Sequence, residues 1–391
     1  GSVPGNYFAP NGDYDIYDYR SPDDVRRNDE ARGELRGRFT TGAVEHELSV
    51  GLSAFHRTVD KRQNVNEYVG TANIGDAQVP VFDPSPLQPG PSARRLDSWQ
   101  RAVFALDRMH FGDNWQWLAG GRYVRLDERA YDKRGTPERH SRLSQFLPQT
   151  ALVWQATQQL NVYASYVEGL SLGQEAPFWT SNASTFLPAV QSRQRELGVK
   201  YAATDGLMLG AAVFRTTQPF QYAKPDASDA GFTFVQEGTQ AHTGLELTAN
   251  GQVTERLALT ASASVLQARA RDAGTAFYDG QQLVNVPKVR AAVHVDYALP
   301  FVSGLAVSGG WRYASSNAAT VDGSVKAPSY SVFDAGLRFQ HALHEHPVTW
   351  TLSVDNVFDR FYWRDTGSSY GDYYLFAGAP RQARLSVSFG L

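Results

Sequence analysis

Arg384-Leu385-Ser386-Val387-Ser388-Phe389-Gly390-Leu391 ends the sequence with Leu, Val, Phe and Leu at the odd positions and Arg, Ser, Ser and Gly at the even ones. Successive side chains of a β-strand point to opposite faces, so this segment offers one apolar and one polar face. The same period runs through Phe333-Asp334-Ala335-Gly336-Leu337-Arg338-Phe339-Gln340, and it puts Asp334 and Arg338 on the polar side. It recurs where Leu257, Leu259, Ala261, Ala263 and Val265 alternate with Thr260, Ser262 and Ser264, and where Leu197, Val199 and Tyr201 alternate with Glu196, Gly198 and Lys200. Val293, Val295 and Tyr297 against His294 and Asp296 repeat it once more. Charged residues recurring on one face describe a wet interior. The strands are also longer than the roughly five or six residues usual in a soluble sandwich, so the pattern predicts an all-β, antiparallel transmembrane barrel with its apolar face toward lipid.

Connections carry a second signal, because membrane barrels have short turns on the periplasmic side and long loops on the other. Short turns are predicted at Thr41-Gly42, Gly112-Asp113-Asn114, Ala156 to Gln159, Thr204-Asp205-Gly206, Thr254-Glu255-Arg256 and Phe301 to Gly304. Long polar connections are predicted over residues 1–30, 60–96, 171–191, 273–284, 315–326 and 364–374, with Pro80 to Pro91 the most proline-rich piece. Strokes counted between them give about fifteen strands, an odd number for a bacterial barrel, which suggests that the chain begins part-way round a larger wall. Aromatics cluster where strands meet loops: Trp115 and Trp117, Tyr362 and Trp363, then Tyr370, Tyr373 and Tyr374. These positions suit interfacial girdles.

Composition excludes other classes. No run of about 18 apolar residues occurs, so no helix of this sequence spans a bilayer. Cysteine is absent, which removes disulfide, thiolate-metal and cysteine-nucleophile chemistry together. Lys+Arg 37 against Asp+Glu 40, with no basic block, leaves no footprint for nucleic acid. The reading is of a non-enzyme, without catalytic residues or cofactor. His344-Glu345-His346 admits a metal reading, but beside a short turn it reads as solvated surface. The opening Gly1-Ser2-Val3-Pro4-Gly5 has no initiator Met and no apolar leader core, as expected of a chain processed or cut from something longer.

With the strands in place, Val354-Asp355-Asn356-Val357-Phe358-Asp359-Arg360-Phe361-Tyr362-Trp363 and Gly378-Ala379-Pro380-Arg381 resemble the end of a TonB-dependent siderophore receptor. Pro148 to Trp154, Asn161 to Tyr166, Leu187 to Gly198, Gly244 to Leu247, Asn285 to Lys288 and Ser329 to Gly336 extend the likeness over roughly residues 140–391, with the first 140 similar only in architecture. Asn356 and Asp359 are expected to close a turn by side-chain to backbone hydrogen bonds, and Pro287 and Pro328 to precede strands. One departure is Leu391, where the resemblance leads us to expect a terminal aromatic.

The resemblance implies one partial barrel domain over residues 1–391, about fifteen strands of a wall of about 22, with the plug and first strands absent. It implies an outer-membrane, multi-pass location in a Gram-negative bacterium and energy-coupled import of a ferric siderophore. Partners would be that iron chelate, TonB through the missing plug region, and the surrounding outer-membrane lipid and lipopolysaccharide. Candidate ligand contacts are Phe178, Trp179, Tyr222, Tyr370 and Tyr373 in or near outer loops, with Arg193 as partner for an anionic chelate. The rival readings are a passive porin, with a closed even-stranded count and an inward-folded constriction loop, and a non-transporting surface scaffold.

Overall fold

The structure is a computed structural model that describes residues 9, 11–78, 80–177, 179–183, 185–275, 278–367 and 374–390. Every regular element among them is a strand. In chain order these are β1 (Asp13–Arg20), β2 (Val25–Thr41), β3 (Val44–Arg62), β4 (Val65–Asn73), β5 (Ser92–Phe111), β6 (Trp115–Tyr131) and β7 (Pro137–Gln155). Next come β8 (Leu160–Ser171), β9 (Val190–Thr204), β10 (Leu207–Pro225), β11 (Phe232–Thr254), β12 (Leu257–Arg271), β13 (Val289–Ala298) and β14 (Leu305–Ala314). The last are β15 (Asn317–Ala318), β16 (Lys326–Ala327), β17 (Tyr330–Leu343), β18 (His346–Asp355), β19 (Trp363–Gly367), β20 (Tyr374–Ala377) and β21 (Gln382–Phe389).

Fifteen strands form one antiparallel meander, β2-β3-β5-β6-β7-β8-β9-β10-β11-β12-β13-β14-β17-β18-β21, matching the fifteen strokes read from the sequence. Among the described residues β2 and β21 do not pair with each other, and all of β2 except Glu34 is exposed. In hydrocarbon, where no water can satisfy a free backbone edge, both of these strands require a partner.

Register shows why the alternation holds across the wall. Leu257, Tyr297, Val307, Leu337, Leu352 and Leu385 pair in succession across six strands, forming one continuous apolar row. The neighbouring row is Ala258, Asp296, Ser308, Gly336, Ser353 and Arg384. A slip of one residue would exchange the two rows, so the apolar pattern fixes the pairing. The apolar rows face outward: Leu385 is 65% exposed and Leu52 63%, while Glu128 and Ser98 are buried on the other side. This is the inverse of a water-soluble sheet and the arrangement a lipid-embedded wall requires.

The six predicted short turns all lie between consecutive strands at one end of the sheet. The β17–β18 turn is made by His344 and Glu345, both with positive φ (49° and 72°), the backbone that a two-residue hairpin turn demands. At the opposite end the connections differ from the irregular loops expected. The pairs β1–β4, β15–β16 and β19–β20 build short ribbons inside them. In β1 Asp13-Tyr14-Asp15-Ile16 alternates, and Tyr17-Asp18-Tyr19 resumes the alternation after a bulge between Ile16 and Tyr17, which favours a ribbon over coil. Two connections at this end are tight turns. In one, the backbone N–H of Thr136 donates to Asp132 and holds its carboxylate below the usual range, with Arg134 N donating at 2.8 Å.

Trp115 and Trp154 stack at 5.9 Å beside the short turns, both more than 40% exposed, as an interfacial girdle predicts. Tyr362 does not join a girdle: it is 7% exposed, packed against Tyr330 at 4.5 Å, because Gly378 leaves room for its ring. The Asn356 turn forms as expected. Asn356 sits at φ 51°, donates through Nδ2 to the carbonyls of Arg360 (2.9 Å) and Ala379 (3.1 Å), and accepts from Arg360 N through Oδ1 at 2.9 Å. Asp359 accepts from Arg381 N at 2.8 Å, which ties the turn to the start of β21.

Candidate functional site

Positions on β2, β3 and β5 to β8 line a lumenal concavity of about 970 Å³. Its wall is charged. Glu34 accepts from Arg32 and Arg36, both at 2.7 Å, and from Ser49 Oγ at 2.5 Å. Deeper in, Arg122 Nη2 donates to Ser53 Oγ at 2.8 Å and Arg32 lies 4.7 Å from the Phe104 ring centre.

Toward the mouth the wall turns basic. Arg57, Arg95 and Arg139 there, like Arg122 deeper in, each carry at least one buried guanidinium nitrogen with no hydrogen-bond partner, while Arg139 also pairs with buried Glu128 at 2.7 Å. Arg95 is 5% exposed, with both Nε and Nη1 unpartnered. A bulge puts it there: Val59 pairs with Leu96 but Asp60 pairs with Arg94, so Arg95 is the extra residue. Arg94 meets Asp60 at 2.6 Å and Arg95 turns the other way. Unsatisfied donors buried in a cleft are costly, and they mark where a negatively charged group is accommodated best.

The 172–189 connection folds over this wall. Phe186 and Leu172 pack on Val59, Leu96 and Ala130, which belong to the inner faces of β3, β5 and β6. Lys61 Nζ meets Glu175 at 2.8 Å, Arg139 donates to the Leu187 carbonyl at 3.3 Å, and Asn182 exchanges two 2.9 Å hydrogen bonds with the backbone of Phe234. A Cβ on Gly173 would stand 2.0 Å from the Leu187 carbonyl oxygen. Gly173→Val is therefore expected to release the loop, and chymotrypsin cleavage at Trp179 and Phe186 in intact cells should rise about tenfold, because local opening limits such cleavage. Unchanged cleavage would show that the loop is not held in this way.

Of the sequence-predicted contacts, Trp179 lies in this loop, edge-on to Phe232 at 5.3 Å, with its indole N–H unpartnered. Arg193 lies on β9, 59% exposed, 3.4 Å from Glu168. Tyr222 is buried: it stacks on Phe220 at 4.7 Å, meets Tyr278 edge-on at 5.0 Å and donates its hydroxyl to the Ala273 carbonyl. It thus props the β12–β13 loop. Phe178, Tyr370 and Tyr373 lie outside the described residues. The structure brings Trp179 and the basic mouth to one loop but does not gather Arg193 and Tyr222 there. Among the described residues no three His, Asp or Glu side chains are placed to hold a metal, the His344 to His346 turn included.

An apolar exterior, a charged lumen, short turns at one end and an inward-folded loop at the other define a transmembrane barrel of the outer-membrane kind. The chain belongs to the TonB dependent receptor-like β-barrel family, whose model matches residues 2–357. That match runs through the first 140 residues, where sequence motifs showed likeness only in architecture. The ferrichrome receptor FcuA of Yersinia enterocolitica is 27% identical over 368 residues, covering 91% of this chain and 47% of its own length. The ferrichrome outer membrane transporter/phage receptor of Escherichia coli K12 is 26% identical, covering 97% and 51%. The chain thus spans about half the length of the curated relatives it matches. The crystal structure of BauA, the ferric preacinetobactin receptor of Acinetobacter baumannii, superposes with a TM-score of 0.78 at 24% identity, over 98% of this chain and 57% of that one. Pyoverdine-bound FpvA of Pseudomonas aeruginosa gives 0.73 at 20% identity, over 97% and 55%. The shared fold is an outer-membrane receptor barrel.

Proposed function

We propose that this chain is the greater part of the wall of a receptor that imports ferric siderophores across the outer membrane, with energy coupled from TonB. Further strands would satisfy the free edges of β2 and β21, and a plug would fill the lumen. The observation that carries the reading is the basic mouth under the 172–189 loop: unpartnered donors of Arg57, Arg95 and Arg139 on the wall, covered by a loop that carries both Phe186, packed on that wall, and the aromatic Trp179. A coordinatively saturated iron chelate needs no metal ligands from the protein. It needs cationic donors for its charge and rings for its carbon face.

Ferrichrome and ferrioxamine B are the first ligands to test, because matched relatives are named for them. Titration of the complete protein in detergent should show saturable binding of one of the iron-loaded ligands, and Trp179→Ala should weaken it about tenfold, the scale of one lost aromatic contact. Equal binding by the variant would remove Trp179 from the site. The inward loop is also what a passive porin would show, and planar-bilayer conductance separates the two, since a plugged receptor stays closed where a porin conducts steadily.

A further inference from the structure

Arginines stand on the outer surface of the wall at the edge of its apolar band. Leu152, Ala164, Leu197, Val213 and Leu245 pair in succession on the lipid face, where Leu197 is 54% and Val213 49% exposed. Two residues nearer the long loops, on the same face, the next row is Thr150, Tyr166, Arg195, Arg215 and Thr243. Arg195 and Arg215 are directly opposed across β9 and β10, and both are exposed. Like charges placed so destabilise a sheet, and among the described residues neither has an acidic partner. Arg195 also lies 5.9 Å from the Tyr166 ring centre. Directly beneath them an outward groove of about 860 Å³ runs over Ala164, walled by Leu152, Leu197 and Val213. Ala164 is the small residue of its row, so the groove exists because its neighbours are larger. The arrangement recurs without the groove where Arg101 opposes Arg125, one row above Val103 and Tyr123 and 5.0 Å from Trp99.

We propose that the groove beneath Arg195 and Arg215 binds a phosphorylated lipid of the outer leaflet, with the phosphate bridging the two guanidiniums and an acyl chain lying over Ala164. Two forked guanidiniums match the several oxygens of a phosphate. The phosphate also turns their mutual repulsion into a shared attraction. The groove adds apolar contact that only a chain-bearing phosphate can use, which sets a lipid above a free anion.

The test titrates the complete protein, in detergent micelles, with diphosphoryl lipid A, with the same lipid dephosphorylated, and with inorganic phosphate, reading bound lipid by native mass spectrometry. Diphosphoryl lipid A should bind, and Arg195→Gln with Arg215→Gln should weaken it about thirtyfold, the scale of two interfacial charges. Ala164→Trp, which fills the groove and spares both arginines, should weaken it about tenfold. Arg215→Gln alone serves if the double variant loses the heat-modifiable mobility of a folded barrel, and it should give an intermediate loss. Dephosphorylated lipid should bind no better to the parent than to the double variant. Undiminished binding by the arginine variants, tight binding of the dephosphorylated lipid, or displacement by inorganic phosphate at equal concentration would each overturn the assignment, the last by making this a free-anion site.

Discussion

Leu337→Arg is expected to lower the unfolding free energy of the complete barrel in lipid vesicles by about 2–4 kcal/mol, the cost of an arginine near the midplane of the lipid face. Leu337 is 46% exposed and lies in the middle of the six-strand apolar row, flanked by Val307 and Leu352. Thr349→Arg places the same side chain on the opposite face of the adjoining strand, in the row of Gln340 and Ser388. A lumen-facing arginine stays wetted and should cost less than about 1 kcal/mol. Urea titration of both variants against the parent measures the difference. Equal costs would mean that the exposed apolar rows do not face lipid.

Asn356→Ala is expected to be the most damaging substitution outside the lipid face. Asn356 is 2% exposed, holds a left-handed φ, and satisfies three backbone groups through one side chain. Its own N–H donates to Asp334 Oδ1 at 2.9 Å, so the turn is also clamped to β17. Alanine would leave the Arg360 and Ala379 carbonyls and the Arg360 N–H unpaired and would force a positive φ on a residue that disfavours it. The summed cost is about 3–5 kcal/mol. Since this turn sets β21 against β18, the yield of folded, heat-modifiable barrel in the outer membrane should fall severalfold. Asn356→Gly relieves the φ but not the hydrogen bonds and should recover about 1 kcal/mol. A barrel that accumulates normally with Ala at 356 would show that β21 docks without the clamp.

Much of the wall was legible because its determinants are local and periodic. Arg384 to Leu391 and Phe333 to Gln340 alternate with period two, and pairing only has to bring like faces together, so strand number and face follow from sequence. Asn356 and Asp359 were legible for a related reason: both residue types bond to backbone a few positions away, and that needs no knowledge of distant partners. The mouth was not legible. Arg95 faces inward only because an unpaired residue between Arg94 and Leu96 breaks the period, and nothing in the local sequence signals that bulge. Tyr222 reads as a loop-edge aromatic open to ligand, yet Phe220, Tyr278 and the Ala273 carbonyl claim it through contacts with residues up to 56 positions away. Tyr362 misled in the same way, since room for its ring comes from Gly378 on the far side of the loop. The inward course of the 172–189 loop depends on Phe186 meeting Val59 and Leu96, a pairing between segments that share no pattern.

The central claim is that this chain forms the wall of an energy-coupled ferric-siderophore importer. Its most direct test is uptake of radioactive iron as ferrichrome, ferrioxamine B or ferric pyoverdine by cells whose only siderophore receptor is the complete protein, measured with and without TonB. We predict accumulation of at least one chelate in cells with TonB and only surface-bound iron in cells without it. Equal accumulation in both, or uptake of none of the three by cells with TonB, would contradict the account.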